Sequence, residues 1–288
     1  MSKSIAGKIK ISTFDELVGD VGDGITEIAL EELHDFEGHP FRVVDDEKME
    51  ETVESIRQHG VLMPGIVRPR KEGDYEIIAG HRRKHACEIA GLTTMPVFVR
   101  DYSDDEATII MVDTNIQRED ILPSEKARAY QMKYEAMKHQ GSKAGGKTLE
   151  KIGEDAGESA KTIQRYIYLA RLTDEMMDMV DEKKIPFVSG VELSFLSTED
   201  QSLVYGMISE GVGISTLQAS QIREYGEKGE LTRAVLELLL VDEKPKPRRF
   251  TMKSDRISEY FGEEVSNEEI EETIIRLLDE WKAKGGQG

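Results

Sequence analysis

Two stretches of this 288-residue chain bring together side chains that can grip phosphate. In IIAGHRRKHA a short β-branched run ends at Gly80 and a helical pattern begins at His81. At such a strand-to-helix junction the first backbone N–H groups have no intrahelical partner, and a glycine lets an anion approach them. Arg82, Arg83 and Lys84 add positive charge beside it; a merely solvated basic turn is the competing reading. In TNIQRED, Asn115, Gln117 and Arg118 offer groups that hold phosphate oxygens or metal-bound water, against the alternative of a polar inter-helix loop.

A third stretch has the spacing of a DNA reader. Between Thr148 and Leu169, Leu149, Ile152 and Ala156 face inward from one helix, and Ile163 and Ile167 answer from a second. Gly153 is small enough to admit that second helix closely. Gly157 falls where the turn needs positive φ, and Ser159 is a good N-cap for a helix beginning at Ala160. Placed in a major groove, this helix presents Lys161, Thr162, Gln164 and Arg165 to phosphates and base edges, with Ala160 able to meet a thymine methyl. Ser159 and Lys147 complete the candidate DNA-binding set. An ordinary αα-hairpin with a solvated face is the alternative. The coincidence of glycine, cap and long polar side chains puts DNA binding ahead of it.

The elements that must position these groups are legible as patterns. Asp45 and Asp46 precede KMEETVESIRQHG, where Met49, Val53 and Ile56 keep helical spacing and Gly60 is the stop. GIVRPR and YEIIAG, separated by KEGD, form a hairpin; the helix HRRKHACEIAG closes at Gly91, and MPVFVRDY is another strand. A helix starts at Asp104, and Pro123 with Ser124 opens a long one. The remainder is mainly helical up to KPKPRR, a linker that precedes an acidic helix around EEIEETIIRLLDEW. Residues 1 to 27 lack apolar periodicity and read as a flexible acidic tail.

Charge is distributed unevenly. The net charge of −19 opposes binding to a polyanion. Yet between Lys138 and Arg171 seven basic residues (138, 143, 147, 151, 161, 165, 171) face four acidic ones (150, 154, 155, 158), a local excess of three. Glu154, Asp155 and Glu158 weigh against nonspecific binding and favour a reader of particular sites. No apolar run is long enough to span a membrane and no signal-type segment opens the chain, so the expected location is the cytoplasm, at the nucleoid. Cys87, the single cysteine, excludes a disulfide framework and reads as a small buried hydrophobe.

HPFRVVDDEKMEETVESIRQHGVLMPGIVRP, YEIIAGHRRKHACEIAGL, TNIQRED and the helix-turn-helix follow one another in the order of the ParB/RepB partition family, which the chain resembles over residues 28 to 200. HPF, in place of the usual NPxQPR box, resembles the branch carried on plasmids and integrative elements. The resemblance implies an α+β fold, with a small mixed α/β ParB-type domain (28–122) and an all-α helix-turn-helix domain (123–200); patterning adds a helical extension (201–244) and a linker with an acidic helix (245–288). The resemblance further implies CTP with Mg²⁺, a palindromic double-stranded DNA site, a homodimer that clamps DNA, and a ParA-type ATPase as partner, with Lys3, Lys8 and Lys10 as candidate contacts. Carried over, the nucleotide residues are Gly80, His81, Arg82, Arg83, Ala86, Asn115, Gln117 and Arg118. Two family glutamates are replaced, by His81 and Thr114. That removes the natural holders of metal and attacking water and implies binding with weak hydrolysis, unless Asp113 substitutes. No catalytic residue is assigned. Ile270, Ile274, Leu277, Leu278 and Trp281 form an apolar stripe suited to a dimer contact or to packing. A site-specific regulator of transcription or replication, and a nuclease-like or phosphotransferase enzyme, are the alternative classes.

Overall fold

The computed structural model describes residues 24–118, 120–140, 145–241, 257, 258, 260–262 and 265–284. Lys3, Lys8 and Lys10 and the KPKPRR linker lie outside them. The chain divides into two compact units, Met1–Asp242 and Glu243–Gly288.

The first unit opens with a five-stranded mixed sheet in the order β1-β5-β3-β4-β2. Its centre is the expected hairpin, β3 (Gly65–Pro69) against β4 (Tyr75–Ala79), antiparallel with an irregularity between Ile66 and Val67. The KEGD turn closes because Gly73 and Asp74 take positive φ, 93° and 61°. β5 (Thr94–Val99) runs parallel to β3. β2 (Leu33–His34) lies parallel to β4 at one edge, following a 3-10 turn over Leu30–Glu32. β1 (Ile25–Ala29) pairs antiparallel with β5 at the other edge. Only Ile28 of β1 is buried, so this edge strand lacks the alternation that would have announced it and begins inside the stretch read as a tail.

Both faces of the sheet are covered. On one, α1 (Glu47–His59) and α2 (His81–Ala90) pack Met49, Val53, Ile56, Ala86 and Cys87 against Val67, Ile77, Met95 and Val97. Burial pushes the Cys87 thiol up to about 11, as suits a packing residue. On the other face, Ile66 and Ile78 meet α3 (Asp104–Asn115) and α4 (Pro123–His139), and the same core continues into Ile152 and Ile163 of the helix-turn-helix. A change in α3 is therefore one packed layer away from the DNA-reading candidate.

The helix-turn-helix is α5 (Gly145–Ala156) and α6 (Ala160–Leu169). Beyond it, α7 (Asp174–Asp181), α8 (Phe187–Leu193), α9 (Thr198–Ser209), α10 (Thr216–Glu227) and α11 (Arg233–Val241) enclose a core of Met176, Met177, Val180, Leu193, Val204, Ile222 and Leu236. In the second unit, α12 (Asn267–Ala283) starts at a capping box of Ser266 and Glu269 and buries none of its residues; Leu277, Leu278 and Trp281 are exposed. Among the described residues no helix is long and apolar enough to cross a membrane. The mixed sheet domain, the helix-turn-helix and the helical C-terminal region agree with the fold class expected from the resemblance.

Candidate functional site

The α2 start has the geometry of an anion cradle. Gly80 caps α2 at φ 118°, no side chain caps the helix, and a Cβ at Gly80 would lie 3.3 Å from the Gly65 Cα. Two glycines thus let β3 and the β4–α2 junction meet backbone to backbone, leaving the first-turn N–H groups open. Arg83 is built into this corner, donating from Nη1 to the carbonyls of Met63 (2.5 Å) and Pro64 (2.6 Å), and burial lowers its pKa. Arg82 donates to Asp46 Oδ1 at 3.0 Å, and Asp46 also caps α1 by accepting from Met49 N at 2.8 Å. The Arg82 partnership holds the Asp46 carboxyl below its ordinary range. Ala86 is buried beneath the sheet, so it shapes the corner without facing it.

His81 is buried, and its ring stacks on His39 with centroids 3.8 Å apart. Burial, then the charges around it, push its pKa down to about 3, so the imidazole is neutral. Its Nε2 accepts the Phe36 N–H at 3.4 Å. A neutral packing group therefore stands at the first position of α2. Burial also lowers the pKa of His39, whose Nε2 has no hydrogen-bond partner among the described residues.

Among the smaller influences on His39, the Arg118 charge lowers its pKa and the Glu125 charge raises it. Arg118 makes no side-chain hydrogen bond among the described residues. Glu125, buried at the start of α4, accepts from Leu122 N at 3.0 Å and Arg42 N at 2.7 Å, fastening the HPFR segment to α4. Asn115 turns its amide back to the Met111 carbonyl (2.8 Å), and Gln117 donates to the Asp155 carbonyl of α5 at 3.4 Å. Thr114 commits its hydroxyl to the carbonyls of Ile110 (2.9 Å) and Met111 (3.1 Å). Asp113 is engaged by Lys133, whose Nζ lies 2.5 Å from its Oδ1 and 3.0 Å from Asp155 Oδ2. Among the described residues no group of three or more His, Cys, Asp or Glu side chains could hold a metal.

On the helix-turn-helix, a Cβ at Gly153 would sit 2.5 Å from the Glu158 carbonyl oxygen, so the close approach is to the turn itself. Gly157 has φ 71°. Ser159 Oγ accepts from Thr162 N at 3.1 Å and lies 2.8 Å from the Thr162 hydroxyl. Lys147, Lys161 and Gln164 are exposed; Ala160, Thr162 and Arg165 are half-buried. Two of the three acids set against DNA are paired internally, Asp155 with Lys133, which it shares with Asp113, and Glu158 with Lys126 at 3.0 Å. Neither Lys161 nor Arg165 pairs with a carboxylate among the described residues. Lys133 escaped the sequence reading, although Tyr130, Lys133 and Met137 fall on one helical stripe and a lysine there requires buried partners.

A mixed sheet with a glycine-capped helix start is thus packed through α3 and α4 onto a helix-turn-helix. Residues 17–116 match the ParB N-terminal domain model. The chromosome-partitioning protein Spo0J of Thermus thermophilus is 31% identical over 210 residues, spanning 73% of this chain and 74% of that one. The chain belongs to the ParB family. A crystal structure of C-terminally truncated ParB from Caulobacter crescentus complexed to the centromeric parS site is 25% identical, with TM-score 0.43, over 69% of this chain and 98% of the other. A second, complexed with CTP-gamma-S, is 28% identical, with TM-score 0.31, over 65% and 99%.

Proposed function

We propose that this chain is a sequence-specific DNA-binding partition protein that reads a palindromic centromere-like site as a homodimer and responds to CTP. The observation that carries the reading is α6: a capped helix after a glycine turn, whose exposed Lys161 and Gln164 and half-buried Arg165 stand on the same compact unit as the α2 anion cradle. The Thermus relative's description as a chromosome-partitioning protein supports the same role. A ParA-type ATPase is the proposed partner.

The residues fit a triphosphate better than they fit a metal. The open N–H groups after Gly80 would bind phosphate oxygens, and Arg118, whose charge acts on His39 beside His81, is a candidate cation for them. Mg²⁺, which binds oxygen ligands and keeps several waters, would be held by the triphosphate. Its chemistry there is to neutralise phosphate charge. His81 cannot act as a general base while it accepts the Phe36 N–H, and Thr114 and Asp113 are committed elsewhere. On this reading the protein turns over its bound nucleotide slowly.

A duplex selected from a randomised pool tests both halves by anisotropy, with and without CTP and Mg²⁺. Arg165→Ala should weaken that duplex by about 1–3 kcal/mol while binding to unrelated duplexes changes less. Gly80→Ala, which places a Cβ in a left-handed backbone and 3.3 Å from Gly65, should keep duplex binding and lose the CTP response. Equal responses to CTP, ATP, GTP and UTP would refute the nucleotide assignment, and unchanged affinity in Arg165→Ala the DNA assignment.

A further inference from the structure

Gln164 does not project freely from α6. Its Nε2 donates to the Tyr168 hydroxyl, one helical turn on, at 2.8 Å. The tyrosine is itself fixed. Its ring meets Phe195 edge-on at 4.9 Å, the Arg171 guanidinium lies over it at 4.8 Å, and Arg223 covers Phe195 at 3.8 Å. Arg223 is held in turn by Glu192 at 3.2 Å and Glu227 at 2.7 Å. This stack spans α6, the segment after α8, and α10, so Tyr168 is anchored in the helical body behind the reading helix and cannot follow a rotation of the glutamine.

A free glutamine amide carries two N–H donors and one carbonyl acceptor. It can offer two donors to the N7 and O6 acceptors of guanine, or one donor and the carbonyl to N7 and the N6 amino group of adenine. With one N–H taken by Tyr168, a single donor beside a single acceptor remains. That pair complements adenine and lacks the second donor that guanine needs.

We propose that Tyr168 is a positioning residue for base recognition: it holds the Gln164 amide in the orientation that reads adenine, an inference that rests on α6 being the DNA-reading helix. The hydroxyl, not the ring, sets the preference. Tyr168→Phe keeps the stack with Phe195 and Arg171 and removes only the acceptor.

The test is selection from a randomised duplex pool by the full-length wild type, Gln164→Ala and Tyr168→Phe, read base pair by base pair, with thermal melting as a fold control. The wild type should select adenine at one position per half-site, and Gln164→Ala should lose that selection. Tyr168→Phe should lower the adenine-over-guanine ratio there by roughly three- to ten-fold, the size of one hydrogen bond, with other positions and the melting temperature unchanged. A Tyr168→Phe profile identical to wild type would overturn the inference while leaving α6 as the reader. So would a loss spread evenly over all positions, or a base other than adenine at the position Gln164→Ala relaxes. A wild type that selects no sequence at all would overturn the DNA-reading function itself and this inference with it.

Discussion

Replacing Lys133 with methionine should destabilise the first unit by about 3–5 kcal/mol, the range for removing one partner from a buried ion pair. The Lys133 side chain is 3% exposed, and its ammonium joins Asp113 of α3 to Asp155 of α5 from its place on α4. Methionine preserves the bulk of the stem and abolishes the charge, leaving two carboxylates facing one another. The deficit should depend on pH in a definite direction. Burial already raises the Asp113 pKa in the wild type, and Lys133 opposes that rise. Without the lysine the folded-state pKa climbs further above the unfolded one. An acid of that kind binds more protons folded than unfolded, so it favours folding at low pH and costs stability as pH rises through the interval between the two values. The variant's deficit should therefore be largest near neutrality and shrink as the carboxylates protonate. Urea melts of both proteins across the acid range measure it, and adding Asp113→Asn should recover part of the loss. A deficit under about 1 kcal/mol, as for an exposed pair, or one that grows on acidification, would contradict this account of the triad.

Gly153→Ala should be nearly as damaging and more specific in its consequence. The added methyl would lie 2.5 Å from the Glu158 carbonyl oxygen and 3.3 Å from Ala160 N, and these are backbone atoms that cannot step aside. The turn must move, straining the Glu158 N–H to Gly153 carbonyl bond of 2.8 Å and shifting the start of α6. A cost of about 1–3 kcal/mol is expected for such overpacking. Site-specific DNA binding should fall by more than the stability loss explains, because Ser159 and Lys161 are displaced with the turn. Gly157→Ala is the informative comparison. Nothing lies within 4 Å of its Cβ position, so its cost is the left-handed backbone alone, about 1–2 kcal/mol. Chemical denaturation gives the stability cost of each variant and a duplex titration its DNA affinity, and Gly153→Ala should lose the more DNA binding; equal DNA affinity in both would show that the close approach at Gly153 has no functional weight.

Much of this architecture was legible in the sequence because local signals coincided. Gly80, Gly91 and Gly157 each sit where positive φ is required, and Asp46 and Ser159 each cap the helix their position announces. What escaped was set by contacts distant in sequence. β1 owes its existence to pairing with β5, more than seventy residues away at Ile25 opposite Phe98, and its own residues show no alternation. The acids counted against DNA binding were read as surface charge, whereas Asp155 and Glu158 face Lys133 and Lys126 of α4. The candidate nucleotide residues form two groups in the sequence, but no pattern within either shows that the His81 ring meets His39 or that Gln117 turns toward α5. The link from Gln164 to Tyr168 was available as a four-residue helical spacing; the Phe195 and Arg223 stack that immobilises it was not.

The most direct test of a DNA-reading partition protein is to recover and sequence the DNA fragments bound to it in cells, comparing wild type with Arg165→Ala. The account predicts a sharp maximum over a short palindrome, with enrichment extending into the flanking DNA, and loss of both in the variant. Uniform coverage by the wild type, or a maximum that Arg165→Ala leaves intact, would contradict it.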